Sequence, residues 1–255
     1  MATHIVIPSR YASTRLPAKP LRLISGKPMI VRVLERVQHL TADSIIAATD
    51  DQRIVDAIEQ AGGNALLTST EHATGTDRLA EVAQKMGWAE DDIVINVQGD
   101  EPLIPPQLVE QVAQTLADDP SCALSTLAYP IDTIDDLMDP NLVKVVFDKN
   151  HRALYFSRAP IPWSRDSFAN ESPQLPTTQT YYRHIGIYAY RVSFLQNYVT
   201  WPAADIEATE SLEQLRALWQ GEKIRVDVAT TLPAHGVDTE QDLARVQQLF
   251  EQGNY

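Results

Sequence analysis

The stretch Ile5-Val-Ile-Pro-Ser-Arg-Tyr-Ala-Ser-Thr-Arg-Leu-Pro-Ala-Lys-Pro20 joins a short apolar run to a polar, basic loop. The run from Ile5 to Ile7 predicts a buried strand. Pro8 is expected to end that strand, because proline cannot donate to a hydrogen-bond ladder. In open α/β sheets, ligands bind at the loops that leave the carboxyl ends of the strands. The loop after Ile7 is therefore the first candidate binding segment.

Three cations, Arg10, Arg15 and Lys19, lie in this loop with small residues between them. Residues 1–36 contain seven Lys or Arg and one acid, Glu35, which is a local net charge of +6 in a chain of net charge −13. This contrast favours one poly-anionic ligand held at the loop, and a nucleoside triphosphate fits. No glycine-rich phosphate-binding motif is present, so side chains must hold the phosphates. For any single cation, a solvated surface position is the alternative.

Composition limits the class of protein. The chain has 255 residues, of which 44% are hydrophobic, enough for one large α/β domain or one with an embedded smaller piece. The acidic balance argues against a nucleic-acid partner. The single cysteine, Cys122, rules out a disulfide framework within the chain and suits a reducing cytoplasm. We see no signal-peptide pattern and no apolar run near the ~20 residues of a membrane span, so we expect no membrane partner.

Short apolar runs alternate with helical spacings in the first half of the chain. Strands are predicted at Ser44–Ala48, Ala65–Leu67 and Asp92–Val97, the last of them central. This rhythm indicates an α/β fold with a Rossmann-like, mostly parallel sheet flanked by helices. From Tyr129 prolines become frequent, which predicts a smaller mixed α+β subdomain at about residues 129–200 within a single domain, 1–255. We expect this subdomain to form a homodimer contact.

Two acids stand where a metal could bind. Asp100 follows the predicted central strand, and Mg²⁺ is held by one or two carboxylates together with substrate phosphates. Taken alone, Asp100 could equally cap a turn. Asp238 precedes the last predicted helix, where Thr239 and Asp242 form a predicted capping box. In the loop of residues 72–78, a helix is expected to open at Asp77 and Arg78.

Ten motifs, in order, cover nearly the whole chain and resemble the CMP-Kdo synthetase (3-deoxy-manno-octulosonate cytidylyltransferase) family of sugar nucleotidyltransferases. Two positions depart from the family pattern: Ala18 replaces a glycine, and Thr74 replaces a serine. The motifs are the N-terminal stretch, Gly26-Lys-Pro-Met-Ile30, Ala48-Thr-Asp-Asp51, Gly75-Thr-Asp-Arg-Leu79, Asn96-Val-Gln-Gly-Asp-Glu-Pro102, Val143-Lys-Val-Val146, Leu154-Tyr-Phe-Ser-Arg158, Arg183-His-Ile-Gly-Ile-Tyr188, Leu212-Glu-Gln-Leu-Arg216 and Gly236-Val-Asp-Thr239.

The resemblance implies a Mg²⁺-dependent enzyme that converts CTP and Kdo into CMP-Kdo and pyrophosphate, for lipopolysaccharide biosynthesis. It also implies roles for particular residues. These are catalysis by Lys19, Asp100 and Asp238; metal binding by Asp100 and Asp238; nucleotide binding by Arg10, Ser13, Arg15, Lys19, Thr74, Gly75 and Arg78; and sugar binding by Gln98, Arg158, His184, Tyr188, Glu213 and Gln214.

The sugar-binding residues also have structural interpretations. Residues 183–190 alternate like a strand with one polar, aromatic face, and a histidine in a strand is more often structural than a ligand contact. A helix is predicted over Ile206–Trp219, with Leu212, Leu215, Leu218 and Trp219 as its buried stripe. Glu213 and Gln214 lie off that stripe, where a solvated helix face is the alternative.

Two other functions remain open. CMP-sialic acid synthetases share the N-terminal signature, although the motifs at residues 155–158 and 212–216 favour the Kdo enzyme. A catalytically silent nucleotide-binding regulator could use the same fold. The presence of Lys19, Asp100 and Asp238 together argues against such a regulator.

Overall fold

A nine-stranded sheet forms the centre of the described part of the molecule, which is residues 1–13, 16–72, 74–169, 174–176, 180–232 and 236–253 of this computed structural model. Strands β2 and β3 form a separate two-stranded sheet. The strands are β1 (Thr3–Ser9), β2 (Leu23–Ile24), β3 (Lys27–Pro28), β4 (Ser44–Thr49), β5 (Asn64–Leu67), β6 (Ile93–Asn96), β7 (Leu124–Ile131), β8 (Lys144–Phe147), β9 (Ala153–Ser157), β10 (Tyr181–Arg191) and β11 (Ile224–Val228).

Helices connect and flank these strands. A short 3-10 turn, Lys19–Leu21, precedes the first of them. The helices are α1 (Met29–Val37), α2 (Gln52–Gln60), α3 (Gly75–Met86), α4 (Pro106–Ala117), α5 (Ile134–Met138), α6 (Val192–Tyr198), α7 (Asp205–Glu210), α8 (Gln214–Trp219) and α9 (Glu240–Gln252). No helix in the described ranges is long and apolar enough to cross a membrane.

The main sheet runs in the order β11-β7-β10-β6-β1-β4-β5. Strand β1 pairs in parallel with β4 and β6, β4 with β5, and β7 with β11. Strand β10 is antiparallel to both β6 and β7, between which it lies. The predicted α/β fold class with a mostly parallel sheet is confirmed, and β6 is central as expected.

Two hydrophobic layers cover the faces of the sheet. Ile5 and Ile7 of β1 pack with residues of α1, α2 and α4, whereas Val6 packs with residues of α3, α6 and α8. Successive side chains of a strand point to opposite faces, so the continuous apolar run of β1 supplies both layers. Burial on both faces is typical of a parallel strand in an α/β sheet.

The prediction that Pro8 ends β1 is wrong. The strand continues to Ser9, and Pro8 pairs with Ala48 of β4. On the other side, the last ladder bond runs from the Val97 N–H to the Val6 oxygen at 3.0 Å. In a parallel strand, the backbone groups of alternate residues face the same neighbouring strand. The nitrogen of Pro8 therefore faces the β6 side, as the Val6 oxygen does, at a position where β6 has already ended. The missing donor therefore leaves no partner unsatisfied.

The single helix predicted over Ile206–Trp219 is also wrong, because α7 ends at Glu210 and α8 begins at Gln214. Ser211 lies between them with φ 53°, in the left-handed region that does not continue a right-handed helix. Trp219 is 59% exposed rather than buried. The break turns the chain so that Glu213 and Gln214 face the interior of the site described below.

Helix α3 begins earlier than predicted. Its first residue is Gly75, so Arg78 lies within the first turn. Thr74, the residue before the helix, and Asp77, its third residue, form a reciprocal capping box. The predicted box of Thr239 and Asp242 at α9 is confirmed. In the middle third, β8 pairs with β10 and β9, which joins both strands to the main sheet. The embedded subdomain stays a prediction, and its loop residues 170–173 and 177–179 lie outside the described residues.

Candidate active site

Two cavities adjoin at the carboxyl ends of β1 and β6. The basic cavity, of about 330 Å³, is lined by Arg10, Lys19 and Arg78 together with Asp100 and Asp238. The aromatic cavity, of about 320 Å³, is lined by His184 and three tyrosines. Both cavities share Gly75, Gln98 and Glu213. A ligand in one can therefore meet a ligand in the other without leaving the protein surface.

Lys19 lies between two acids in the basic cavity. Its Nζ donates to Asp100 Oδ2 at 2.6 Å and to Asp238 Oδ1 at 2.9 Å. Burial alone would lower the pKa of Lys19, but the charges and hydrogen bonds of the two carboxylates outweigh burial and raise the pKa above its ordinary value. Lys19 is therefore positively charged throughout the physiological pH range.

Backbone contacts bring the two acids together across the chain. Asp100 lies in the loop after β6, and its carbonyl oxygen accepts a hydrogen bond from the Val237 N–H at 2.8 Å. Gly99 lets the loop after β6 lie close to the end of β1, since a Cβ there would lie 2.9 Å from the Pro8 oxygen. Because both carboxylates converge on one point beside a cavity, their oxygen atoms fit the one or two protein ligands that Mg²⁺ takes beside substrate phosphates.

Ala18 adopts a strained backbone just before Lys19. Its φ of 54° and ψ of 32° lie in the left-handed region, which costs a non-glycine residue about 1–2 kcal/mol. Its carbonyl oxygen accepts the Leu21 N–H at 2.9 Å, which closes the 3-10 turn that carries Lys19. The glycine that the resembled family places here would adopt this conformation without that cost.

The other predicted nucleotide-binding residues that the structure describes line the same cavity. Arg10 is exposed, whereas Arg78 is buried and donates to Asp50 Oδ2 at 3.2 Å and to the hydroxyl of Thr68. Arg15 lies outside the described residues. The predicted residues that the structure brings together around the basic cavity are Arg10, Ser13, Lys19, Thr74, Gly75, Arg78, Gln98, Asp100, Glu213 and Asp238.

A bulge in β10 shapes the aromatic cavity. His184 pairs with Ala128 of β7 and Tyr188 pairs with Thr126, so β10 has two extra residues between these pairs. Gly186 lies in the bulge with φ 79°, which favours glycine. The extra residues keep His184 and Tyr188 on the wall of the cavity, their ring centroids 5.2 Å apart.

His184 is neutral at physiological pH. Its Nε2 lies 2.8 Å from Thr126 Oγ1 and accepts the Gly186 N–H at 3.3 Å. Burial away from water lowers the pKa of the imidazole to about 3. A neutral imidazole can exchange hydrogen bonds with hydroxyl groups of a ligand but does not supply a charge.

Glu213 and Gln214 enter the cavities because of the helix break at Ser211. Thr76 Oγ1 of α3 donates to Glu213 Oε2 at 3.2 Å, which ties α8 to the start of α3. Burial of the carboxyl group raises the pKa of Glu213, although the residue keeps an open side to solvent. Glu213 and Gln98 therefore lie where the two cavities join.

Arg158 is the predicted sugar-binding residue that does not line either cavity. Its Nε donates to the Glu210 oxygen at 2.7 Å and its Nη1 to the Pro140 oxygen at 3.0 Å. The Ser157 hydroxyl donates to the Glu210 carboxylate at 2.6 Å. Arg158 therefore holds the end of α7, next to the helix break, and its assignment to the sugar stays a prediction.

The sequence reasoning missed several residues of the cavity walls. Tyr190 shares the strand face of His184 and Tyr188, so the alternation of residues 183–190 could have identified it as a wall residue. Tyr198 of α6 and Asn96 at the end of β6 also line the aromatic cavity, and His72 lines the basic one. Asn96 lies near the end of a predicted strand and His72 begins the loop of residues 72–78, so both were near predicted site segments, whereas Tyr198 reaches the cavity only through the packing of α6.

A nucleotidyltransferase is the class of protein that this α/β sheet, basic cavity and acidic pair define. A family model described as cytidylyltransferase matches residues 4–224. The chain belongs to this cytidylyltransferase family.

Two curated relatives of this chain carry the same specific enzyme name. A 3-deoxy-manno-octulosonate cytidylyltransferase of Pseudomonas fluorescens is 56% identical over 97% of both chains. The protein of the same name from Hahella chejuensis is 54% identical over 96% of both chains. These relatives confirm the resemblance that the ten motifs indicated.

Solved structures agree with the fold. A structure of CMP:2-keto-3-deoxy-manno-octonic acid synthetase complexed with CTP has a TM-score of 0.89 and 43% identity, and the match covers 99% of this chain and 100% of that chain. A cytidylyltransferase from Leptospira borgpetersenii has a TM-score of 0.63 over 99% of this chain and 87% of that chain. At 14% identity, the second likeness supports the fold alone.

Proposed function

We propose that this protein is a Mg²⁺-dependent cytidylyltransferase that converts CTP and Kdo into CMP-Kdo and pyrophosphate, a step that serves lipopolysaccharide biosynthesis. The observation that carries the proposal is the convergence of Lys19, Asp100 and Asp238 beside two adjoining cavities. The names of the two curated relatives and the CTP complex of the similar synthetase support the choice of substrates.

The basic cavity suits CTP. A triphosphate carries several negative charges, and Arg10, Lys19 and Arg78 line this cavity. Arg10 is exposed and lines the cavity, so its guanidinium can donate to phosphate oxygens. The capped start of α3 at Gly75 adds backbone N–H donors and a favourable helix dipole.

The aromatic cavity suits the sugar acid. Neutral His184, Gln98, Glu213 and Gln214 can exchange hydrogen bonds with hydroxyl groups, while Tyr188 and its neighbours form apolar walls. Because Gln98 and Glu213 belong to both cavities, a sugar hydroxyl can approach the α-phosphorus of a nucleotide at their junction.

The chemistry requires attack of a sugar hydroxyl on the α-phosphorus, with pyrophosphate leaving in line. The protein contributes by positioning the two substrates and by neutralising charge that develops on the leaving group. Lys19 and Arg10 would place positive charge beside the leaving pyrophosphate. Asp100 and Asp238 would hold Mg²⁺, which when bound neutralises phosphate charge and lowers the pKa of a coordinated hydroxyl.

Pyrophosphate release tests the proposal directly. The purified chain would be incubated with CTP and Mg²⁺, and then with Kdo, with N-acetylneuraminate or with no sugar. Of these three conditions, we expect rapid release of pyrophosphate only in the one that contains Kdo together with CTP and Mg²⁺. Equal or faster release with N-acetylneuraminate would identify a CMP-sialic acid synthetase, and CTP binding without release under any condition would identify a silent regulator.

A further inference from the structure

Asp50 joins two walls of the basic cavity through one carboxylate. Its Oδ1 accepts the backbone N–H of Tyr11 at 3.0 Å, and its Oδ2 accepts from Arg78 Nη2 at 3.2 Å. The Asp50 side chain is 14% exposed and that of Arg78 is 4% exposed. Asp50 does not itself line either cavity.

Tyr11 lies in the segment of the loop that faces the cavity. Its neighbour Arg10 and nearby Ser13 both line the basic cavity. The hydrogen bond from the Tyr11 N–H to Asp50 therefore fixes the backbone that carries these two side chains. The Arg53 guanidinium lies 3.6 Å from the centroid of the Tyr11 ring. The N–H of Tyr11 is thus held by Asp50, directly after β4, and its ring by Arg53 in the first turn of α2.

Arg78 depends on the same carboxylate. Its guanidinium is buried, and a buried cation that loses its acidic partner is strongly destabilised in that position. The other partners of Arg78, the Thr68 hydroxyl and the Ser69 oxygen at 3.4 Å, are uncharged. Asp50 therefore sets both the charge balance of Arg78 and its orientation toward the cavity.

We propose that Asp50 is a positioning residue for the nucleotide, which holds the loop of Arg10 and the Arg78 side chain in the arrangement that binds a nucleoside triphosphate. This inference rests on the proposed function, which assigns the basic cavity to CTP. The inference predicts the direction in which the affinity for CTP changes when Asp50 is replaced. Coulomb repulsion alone predicts that removing a negative charge near a poly-anion tightens binding, whereas loss of positioning weakens it.

The test measures CTP affinity by calorimetry without sugar, for the wild type, Asp50→Ala, Asp50→Asn and the control Asp56→Ala. Asp56 is an exposed acid on α2 that accepts from Gln52 Nε2 and lines neither cavity, so its removal changes the charge equally without touching the cavity. We expect Asp50→Ala to raise the Kd for CTP about 10- to 100-fold. Asp50→Asn, which keeps an acceptor for the Tyr11 N–H, should raise it by only about threefold to tenfold.

A kinetic readout separates positioning from general destabilisation. At saturating CTP, the KM for Kdo should stay within about twofold of the wild type in Asp50→Asn, since Asp50 touches no wall of the aromatic cavity. The inference is overturned if folded Asp50→Ala, or folded Asp50→Asn where the alanine variant does not fold, binds CTP as tightly as the wild type. It is also overturned if the KM values for Kdo and CTP rise together. Absence of CTP binding by the wild type overturns the proposed function, and this inference with it.

Discussion

The ammonium group of Lys19 lies 2.6 Å from the Asp100 carboxylate, and the same group reaches Asp238 at 2.9 Å. One cation therefore balances two acids that would otherwise repel each other. The three side chains are 15%, 31% and 45% exposed, so the cluster is open to an arriving ligand.

Replacing Asp100 tests the metal assignment. We expect Asp100→Asn to reduce turnover by at least about 100-fold with an unchanged fold, because the amide is a poor ligand for Mg²⁺. Turnover would be measured against Mg²⁺ concentration, with circular dichroism to confirm folding. Asp91→Asn, at an exposed position before β6, is the control of equal charge change. Normal Mg²⁺-dependent activity in folded Asp100→Asn would refute the assignment.

Replacing Lys19 separates catalysis from charge balance. Lys19→Ala should lower turnover even at saturating substrates, since charge develops on the leaving pyrophosphate. Without substrates, the variant leaves Asp100 and Asp238 facing each other with no ammonium between them. Mg²⁺ should therefore raise the Tm of Lys19→Ala more than that of the wild type. Lys27→Ala, in the same basic region but outside both cavities, should behave like the wild type; equal Mg²⁺ effects on all three proteins would contradict the prediction.

Replacing Arg158 tests the division between the two substrate sites. Arg158→Ala should mainly raise the KM for Kdo, with a loss of about 1.5–3 kcal/mol, because the charged hydrogen bond predicted between Arg158 and the sugar acid is removed. Loss of the observed contacts of Arg158 with Glu210 and Pro140 should also raise the KM for Kdo, because these contacts hold the end of α7 close to Glu213. CTP affinity without sugar should match that of the control Lys149→Ala. Loss of CTP binding with normal Kdo dependence would move Arg158 to the nucleotide side.

Acid should destabilise the protein partly through His184. Burial lowers the pKa of this imidazole to about 3 in the folded protein, so between pH 6.5 and 3 the unfolded state binds the extra proton. The stabilising contribution is therefore complete above pH 6.5 and is lost as pH falls toward 3. Between pH 7 and pH 5 the loss is about 2 kcal/mol.

The measurement is urea unfolding of the wild type and His184→Gln at both pH values. The variant lacks the titrating ring, so its free energy of unfolding should fall by about 2 kcal/mol less than that of the wild type on acidification. Identical pH dependence in the two proteins would show that His184 titrates normally in the folded state.

The middle third of the chain leaves large apolar side chains exposed. Leu154 of β9 is 59% exposed and Trp163 is 61% exposed. We propose that this region forms the homodimer contact predicted from the sequence, since burial of such side chains stabilises a symmetric pair. Sedimentation should give a dimer at micromolar concentration, and Leu154→Asp should weaken it. Met86→Asp, at an exposed position of α3, is the control; a wild-type monomer under these conditions would refute the proposal.

Local patterns were enough to predict most of the sheet. Strands β1, β4, β5 and β6 were predicted from short apolar runs between segments with helical spacing. The errors arose where long-range packing outweighs a local rule. Pro8 stays in β1 because the neighbouring strand has already ended on its nitrogen side, which no local pattern reveals.

The candidate site was predictable in its charged part and less so in its walls. Asp100 and Asp238 were assigned to one metal because Asp100 follows a predicted strand, Asp238 precedes a predicted helix, and the family resemblance implies both as ligands. The break at Ser211 was missed, since residues 206–219 have the apolar spacing of one helix and serine is not a strong helix breaker. Asp50 was quoted only as part of a motif, because its two contacts join residues far apart in sequence.

The two cavities take most of their distinctive side chains from different parts of the chain, and the segment around the break at Ser211 belongs to the aromatic one. The aromatic cavity takes its distinctive side chains from β10, α6 and α8, within residues 181–219, whereas the cations of the basic cavity come from the first 80 residues. Under the proposed function, most of the segments that contact the acceptor could therefore diverge while those that bind the phosphates stay unchanged, with Glu213 common to both cavities. Such modularity lets one scaffold acquire new acceptors by local replacement, and exchange of residues 205–219 between relatives is a natural route for engineering.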